Sequence, residues 1–362
     1  MFLKTVRINS AFLCHIFEKS LKDSEVPTEW REANVTPIFK KGNKLEASNY
    51  RPVSLTSIVC KVLEDIVRER MMAYVQGGGL IAPEQHGFVP KKACLTNLLE
   101  TLDAITDAVN KGYSVDLILL DFSKAFDKMS HKKLIAKLRA YGIDEILVKW
   151  TKALLTERRQ RVVIGDNQSD WKEVTSGVPQ GSVIGPSDFT LFINDLPDKL
   201  THIVKLYADD SKLIRIVKED SDFATIQNDI NKMQNWAKEW QMSFNYDKCK
   251  VMHFGNKNPK IEYHMKLDDG SHHVIAKSDM ERDLGIIISS DLKWKHQVDR
   301  SVKSAKSIIA QIRNSFKYLD LKIIDLLYKT LIRLHVEYAV PIWKTKRVFE
   351  LNVSFFFSKK FI

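Results

Sequence analysis

The order of strands and helices along the chain predicts an α+β fold that is followed by a purely helical segment. The stretch SVDLILLDF at residues 114–122 is a nearly continuous apolar run, typical of a strand covered on both faces. The stretch LYADDSKLIRI at residues 206–216 shows two short alternating stretches around a bend, as a β-hairpin does. After His296 apolar residues recur only at helical spacing, so we place the boundary near Ser289–Ser290.

Residues 1–26 are predicted to form an amphipathic helix. Phe12, Leu13, Ile16, Phe17 and Leu21 recur at helical spacing, while polar residues interrupt the apolar run. No small-residue cleavage site follows, which argues against a signal peptide, and no stretch of the sequence is long and apolar enough for a transmembrane span. We therefore expect a chain that is neither secreted nor anchored in a membrane.

The remaining elements follow from periodicity and from turn residues. They are a strand at 35–39, a helix with Ile58, Val62, Leu63 and Ile66 on one apolar face, helices at 96–109, 132–141 and 145–155, a hairpin around 165–166, a helix with Phe223, Ile226, Ile230, Met233 and Trp236 on one stripe, and strands at 251–255 and 283–289.

Composition limits the function classes. The 362 residues are 44% hydrophobic and 28% charged, which is enough to bury a large core. A net charge of +11 favours a polyanionic partner such as nucleic acid, and an anionic membrane surface is the alternative. The four cysteines lie far apart without a CxxC pair, which argues against a structural zinc site and against a disulfide framework.

Three aspartates stand at positions where a sheet presents side chains to a cleft. Asp121 ends the apolar strand, and Asp209 and Asp210 lie at the bend of the hairpin. If the two strands are neighbours, three carboxylates converge, and their repulsion is relieved by hard divalent cations. Two such ions about 4 Å apart support in-line displacement at phosphorus. The alternative is a solvated turn, because an isolated Asp-Asp pair is usually surface, and Asp116 and Asp127 are expected to be ordinary exposed acids of this kind.

Nine sequence blocks carry a resemblance to one family. They are VPTEWREANVTPIFKKGN, NYRPVSLTSIVCKVLEDIV, QHGFVPKKACLTNLL, LLDFSKAFDKMSHKKL, SGVPQGSVIGPSDFTLFINDL, YADD, MSFNYDKCKVMHFG, RDLGIIISSDLKW and KHQVDRSVKSA. In this order they resemble the blocks of reverse transcriptases, and more narrowly those of non-LTR (LINE-type) retrotransposons. The resemblance covers roughly residues 15 to 340, and a series of independent blocks is far more specific than any one of them.

The resemblance implies a right-hand polymerase fold with fingers, palm and thumb. After the N-terminal helix at 1–26, residues 27–290 would form the fingers and palm, residues 291–345 a helical thumb-like segment, and residues 346–362 an irregular tail. It also implies a polymerase segment of a longer element, with an endonuclease outside this chain, acting in the nucleus or the cytoplasm.

Residue roles are carried over by position in the matching blocks. Asp121, Asp209 and Asp210 match the catalytic carboxylates that bind two Mg²⁺ or Mn²⁺ ions. The positions that match nucleotide-binding residues are Arg51, Lys40, Phe126, Gln180, Gly181 and Lys248, with Phe126 closing against the 2′ position of the sugar. The positions that match primer- or template-binding residues are Gly177, Lys91, Lys92, Leu284 and Gly285. Asp283 stands where the family commonly has Tyr, and we expect this departure to leave the chemistry untouched.

The implied reaction is RNA-directed DNA synthesis, with an RNA template, a DNA primer and deoxynucleoside triphosphates as partners. Clusters of Lys and Arg that fit a phosphate backbone lie at 40–44, 91–92, 132–133, 158–161, 293–295 and 303–306. Two alternatives stay open: a catalytically inactive fragment of an element, and a maturase-like protein that uses the palm scaffold to bind RNA.

Overall fold

The computed structural model describes residues 2–218 and 222–343. The helices are α1 (Phe2–Asp23), α2 (Thr28–Arg31), α3 (Ile58–Gly77), α4 (Cys94–Asn110), α5 (Ala125–Lys128), α6 (His131–Ala140), α7 (Glu145–Leu155), α8 (Gly185–Ile193), α9 (Asp222–Glu239), α10 (Lys295–Ser315), α11 (Leu321–Leu327), α12 (Arg333–Glu337) and α13 (Val340–Trp343). The strands are β1 (Glu32–Phe39), β2 (Tyr50–Leu55), β3 (Ser114–Asp121), β4 (Arg158–Ile164), β5 (Asn167–Gln168), β6 (Lys172–Val174), β7 (Ile203–Tyr207), β8 (Asp210–Val217), β9 (Lys250–Phe254), β10 (His264–Lys266), β11 (His272–Val274), β12 (Ala276–Lys277), β13 (Met280–Asp283) and β14 (Ile286–Ser289).

The central sheet has the strand order β12-β9-β3-β8-β7. Strands β9, β3, β8 and β7 pair antiparallel, and β3 lies in the middle with both faces covered. Because side chains alternate along a strand, Ile118 and Leu120 enter the larger hydrophobic core while Val115 and Leu117 enter a second core on the opposite face. Burial on both faces explains why β3 reads as a continuous apolar run.

Different elements cover the two faces of this sheet. The larger core contains buried side chains of α3, α6, α7, α8 and α9. The second core contains Leu98, Leu102 and Ile105 of α4 together with Ile286 and Ile288 of β14. The β13–β14 hairpin therefore packs on the same face as α4.

A second sheet stands apart from the central one. Its strands have the order β2-β1-β4-β5, and β6 also pairs antiparallel with β4. β1 pairs antiparallel with β2 and parallel with β4. In the chain, β2 is followed by α3. The N-terminus of this helix is capped by the Ser57 hydroxyl, which accepts from the Cys60 amide at 3.4 Å.

The C-terminal helices contribute little core of their own. Ala305, Ile332 and Val336 form a small third cluster among the described residues. Trp343 instead is buried in the second core beside the residues of α4. The described end of the chain thus returns to the central sheet.

The predicted elements are confirmed at most positions, with three qualifications. The strand predicted at 283–289 is interrupted by a turn at Leu284–Gly285, so that Asp283 ends β13 and only 286–289 form β14. On α3, only Leu63 of the predicted apolar face is buried, while Ile58, Val62 and Ile66 are exposed, so that face was assigned wrongly. The buried face holds Cys60, Leu63, Glu64, Val67, Met71, Met72 and Val75, because α3 packs with the opposite side towards the core. The predicted tail at 346–362 lies outside the described residues, and the domain boundaries stay predictions.

None of the helices in the described part of the chain combines the length and the apolar character needed to cross a membrane.

Candidate active site

The three predicted carboxylates lie at one end of the central sheet. Asp121, the last residue of β3, is the register partner of Asp210, the first residue of β8. Tyr207 pairs with Asp210 across the β7–β8 hairpin, so Ala208 and Asp209 form a two-residue turn. Ala208 takes a left-handed conformation with φ 53°, which a tight hairpin turn requires. The two strands that the prediction required to be neighbours are paired, and their register brings the three aspartates to the same edge of the sheet.

The carboxylates repel one another in the absence of a cation. The pKa of Asp210 is raised to about 6. The main cause is desolvation of the carboxylate, and the negative charges of Asp209, Asp283 and Asp121 add to it. The residue as a whole is still exposed to solvent. Loss of solvent also raises the pKa of Asp209, with the charge of Asp121 adding to the effect. Such a cluster is costly to keep ionised and gains from a nearby positive charge.

Lys248 supplies one such charge. Its ammonium donates to Oδ2 of Asp121 at 2.8 Å, whereas the ammonium of Lys250 turns to the carbonyl of Asp247. The structure therefore distinguishes two lysines that are close together in the sequence, because Lys248 contacts the side chain of Asp121 and Lys250 contacts the backbone of Asp247. It also shows that the Asp121 carboxylate accepts a cation at this edge.

The donor chemistry fits a hard divalent ion, because carboxylate oxygens are the ligands that Mg²⁺ and Mn²⁺ prefer. Within the described ranges, no three His, Cys, Asp or Glu side chains are already turned together as a ligand set. The register places the backbones of Asp121 and Asp210 side by side, so the side chains would reorient to hold an ion.

Phe126 and Gly177 are in close contact. The Phe126 ring is half-buried and stacks on Phe189 at 4.7 Å between centroids. The amide of Val178 donates to the carbonyl of Phe126 at 2.8 Å. A Cβ at Gly177, where φ is +79°, would lie 2.5 Å from the backbone oxygens of Phe126 and Asp127. Glycine is thus required there by contact with the protein's own backbone.

The loop that contains Gln180 and Gly181 is attached to β2 and α5. The carbonyl of Gln180 accepts from the Ser54 amide at 2.7 Å, and its side-chain amide donates to Oδ1 of Asp127 at 3.1 Å. A Cβ at Gly181 would lie 2.4 Å from the Ser54 oxygen, so this glycine also serves a close approach of two backbones. These contacts join strand β2 to α5 through the loop.

The two basic residues predicted in the fingers, Arg51 and Lys40, are not equally well placed to reach the carboxylates. The positive charge of Arg51 on β2 lowers the pKa of Asp209, against the larger upward effect of desolvation, so the guanidinium lies within electrostatic reach of the turn Ala208–Asp209. Lys40 follows the end of β1, is exposed, and its backbone amide pairs with the carbonyl of Asn49. Arg51 is the better placed of the two.

The four predicted primer and template residues other than Gly177 lie at two places. Lys91 is exposed with φ 63°, while the Lys92 ammonium is occupied by the carbonyl of Pro83. Leu284 and Gly285 form the turn between β13 and β14, with φ 41° and 92°. The structure thus leaves the Lys91 charge open to solvent and engages that of Lys92 within the protein.

Sequence reasoning missed residues that hold the β7–β8 hairpin, which carries Asp209 and Asp210. Oε1 of the fully buried Gln85 accepts from the Ala208 amide at 3.2 Å, and the side-chain amide of Asn97 donates to the carbonyl of Leu206 at 3.1 Å. Oδ1 of Asn97 accepts from the ammonium of Lys212 at 2.6 Å. A lysine in the middle of the apolar strand β8 was the available signal, because a buried charge needs a partner.

Two acidic residues are buried although the sequence around them does not indicate it. Asp283 is buried and forms an ion pair with Lys212 on the strand of Asp210, so the departure from Tyr reaches the edge of the site. Asp116, which resembled an ordinary exposed acid, is fully buried and accepts from the Tyr263 hydroxyl, from His253 and from Asn258. Both lie on elements whose packing the local sequence does not reveal.

The predicted basic clusters are not equally available to a polyanion. Arg158 is buried near Glu64, and Arg159 pairs with Glu32. Glu64 itself accepts from the Ser182 hydroxyl at 2.7 Å and from the Val183 and Ile184 amides, which anchors the loop after Gly181. Part of the 158–161 cluster therefore has a structural role.

Comparison with known proteins places the chain in a family. A model of the reverse transcriptase (RNA-dependent DNA polymerase) family matches residues 38–323. The RNA-directed DNA polymerase from mobile element jockey of Drosophila melanogaster is 26% identical over 317 residues, covering 83% of this chain and 33% of that protein. The probable RNA-directed DNA polymerase from transposon X-element of the same species is 23% identical and covers 92% of this chain and 37% of its own length. The chain thus spans about a third of the length of these curated relatives.

Among solved structures, apo telomerase from Candida tropicalis superposes with a TM-score of 0.53 at 11% identity, covering 91% of this chain and 62% of that one. This likeness confirms the α+β polymerase fold, and the mobile-element relatives confirm the resemblance to non-LTR retrotransposon polymerases. Because the family match extends over most of the sequence and includes all three carboxylates, the chain belongs to the reverse transcriptase (RNA-dependent DNA polymerase) family.

Proposed function

We propose that the chain catalyses RNA-directed DNA synthesis, in which a primer 3′-hydroxyl attacks the α-phosphate of a deoxynucleoside triphosphate and pyrophosphate leaves. The observation that carries the proposal is the register pair of Asp121 and Asp210 with Asp209 at the adjoining turn. A rigid sheet edge is suited to this reaction, because nucleotidyl transfer depends on alignment and charge neutralisation.

Asp121, Asp209 and Asp210 would hold Mg²⁺ or Mn²⁺. Two such ions, when bound, supply a lowered pKa at the attacking hydroxyl and neutralise the charge of the departing pyrophosphate. The raised pKa values of Asp209 and Asp210 fit a site that gains stability from cations. Lys248, already within 2.8 Å of Asp121, would move its ammonium to the triphosphate.

The remaining residues bind and orient the substrates in this proposal. Arg51, whose charge reaches Asp209, would bind the triphosphate, with Lys40 further along the same hairpin. Phe126, Gln180 and Gly181 would form the wall of the nucleotide pocket. The RNA template would contact Gly177, Lys91 and Lys92, and the DNA primer would contact Leu284 and Gly285.

The test is primer extension by the full chain on an RNA template, with Mg²⁺ present and absent. Asp209→Asn is expected to reduce nucleotide addition by at least about a thousandfold, because it removes a ligand from the reacting centre. The matched control is Asp166→Asn, at the exposed two-residue turn of the β4–β5 hairpin. We expect this control to extend primers as the wild type does.

Binding of template–primer by the wild type, without extension beyond the level of Asp209→Asn, would contradict the proposal and favour the RNA-binding alternative. A separate assay addresses the sugar. Phe126→Ala should reduce the preference for dATP over ATP by about tenfold or more, since the ring would no longer clash with a ribose hydroxyl. Unchanged discrimination would remove Phe126 from the sugar pocket and leave the polymerase activity standing.

A further inference from the structure

The β13–β14 hairpin is not hydrogen-bonded to the central sheet by its backbone. It forms a two-stranded sheet of its own, with Asp283 pairing with Ile286 across the turn Leu284–Gly285. Ile286 and Ile288 are buried against the second core, which holds the hairpin to the sheet. Apolar packing has little directionality, so the exact placement of the turn depends on polar contacts near its tip.

A buried ion pair provides such a contact. Lys212 and Asp283 have side chains only 1% and 5% exposed, and their charges meet directly. Lys212 lies two residues after Asp210 on β8, so both side chains point to the same face of the sheet. The pair therefore joins the hairpin tip to the strand that carries a candidate metal ligand.

Asn97 and Tyr338 restrain the pair and the turn. Asn97 accepts from Lys212 at 2.6 Å while donating to the carbonyl of Leu206, which fixes the lysine relative to the catalytic hairpin. From the C-terminal segment, the Tyr338 hydroxyl donates to the Leu284 carbonyl at 2.7 Å, and its ring lies 3.0 Å from where a Cβ would stand at Gly285. The turn is thus held from two sides.

We propose that Lys212 and Asp283 are positioning residues, which set the distance between the turn Leu284–Gly285 and the carboxylates of Asp121 and Asp210. The inference rests on the proposed function, in which this turn contacts the primer. An ion pair specifies direction as well as distance, and a misplacement of about 1 Å at a reacting centre costs roughly a hundredfold in rate. This would explain why a costly buried pair stands beside the second hydrophobic core.

The experiment compares Lys212→Met, Asp283→Leu and the double variant of the full chain. Each single variant leaves one buried charge unpaired and is expected to lower the thermal midpoint of unfolding. The double variant replaces both charges by apolar groups and should recover most of that loss. The control is the double variant Lys277→Met with Glu262→Leu, which removes an exposed ion pair at 3.2 Å between β12 and the loop before β10.

For the double variant we expect a Kd for template–primer within about twofold of the wild type and a kcat for nucleotide addition lowered by about 10- to 100-fold. Amide hydrogen exchange should become faster at residues 280–289 and stay unchanged in β3. The Lys277–Glu262 control should match the wild type in every measurement.

A folded double variant whose kcat lies within twofold of the wild type, or whose exchange at 280–289 is unchanged, would overturn the inference while leaving the polymerase proposal intact. Failure of the proposed function would be seen in the wild type, which would then bind template–primer without extending it, and the inference would fall with it. The two failures are therefore distinguished by which protein shows them.

Discussion

The sheet region and the C-terminal helices differ in how much hydrophobic core they contain. Strands β3, β8 and β9 are buried on both faces between two hydrophobic cores. The helical segment after residue 294 has a small cluster around Ala305, Ile332 and Val336, while Tyr318 and Leu321 are 89% and 75% exposed. The first region is stabilised by its own core, and the second depends on its contacts with neighbours.

This difference shows how the candidate site is positioned. The carboxylates lie on strands that are packed between two cores, and a close-packed interior transmits small displacements as strain. The helical segment reaches the site through Tyr338 and joins the second core through Trp343. The edge of the sheet that carries the carboxylates thus meets an element with few buried contacts of its own.

The largest expected effect compares matched truncations in the two regions. Leu138→Ala, at a fully buried position of α6, should lower the free energy of unfolding by about 3 kcal/mol, whereas Ile332→Ala in the small cluster should cost about 1 kcal/mol. Urea unfolding followed by tryptophan fluorescence measures both. Equal losses would show that the helical segment has a core as stabilising as that of the sheet region.

A second prediction concerns an unfavourable group inside the sheet region. Asp188 of α8 is fully buried, and neither of its carboxyl oxygens accepts a hydrogen bond from the described residues. Burial, with the charge of Glu64 adding to it, raises its pKa well above the usual range. Asp188→Leu should therefore stabilise the protein by about 2 kcal/mol at pH 7.

The pH dependence has a defined sign. Above about pH 4 the folded protein holds the Asp188 proton and the unfolded chain does not, so the wild-type free energy of unfolding falls as pH rises towards the elevated pKa. Asp188→Leu removes that slope, which urea unfolding between pH 4 and 7 would detect. Asp198→Leu, at an exposed acid, is the control, and an equal gain there would refute the explanation.

A third prediction concerns the affinity of the carboxylates at the sheet edge for Mn²⁺ and its dependence on pH. Because the pKa of Asp210 is raised to about 6, its carboxylate is mostly ionised at pH 7 and mostly protonated at pH 5. Mn²⁺ affinity should fall by about tenfold over this interval from this group alone, with protons released on binding near pH 6. Calorimetric titration in two buffers measures both, and Asp210→Asn should show a weaker pH dependence of affinity.

The smallest effect is expected on the exposed side of the helices. Leu334 is 66% exposed, and Leu334→Lys should change the free energy of unfolding by less than about 0.5 kcal/mol. A loss above 2 kcal/mol in the same urea assay would mean that this face is covered in the folded chain. The comparison between the regions would then need revision.

Sequence reasoning succeeded where the information is local. Apolar periodicity identified α4, α7 and α9 and the strands β3 and β8, because each buries a stripe or face that its own residues define. It failed for the buried face of α3, since Ile58, Val62 and Ile66 share an apolar stripe that nothing in the described structure covers. Which stripe is buried depends on the neighbours that a helix meets.

The sequence by itself determined the order of elements, the family and the placing of Asp121 and Asp209–Asp210 at strand ends. Only the tertiary structure decided that Lys248 rather than Lys250 reaches Asp121, that Asp283 pairs with Lys212, and that Asp188 has no partner among the described residues. The physical reason is the distance along the chain over which each kind of interaction acts. Periodicity records what a segment does within a few residues, whereas the charge beside a buried group comes from packing between segments far apart in the chain.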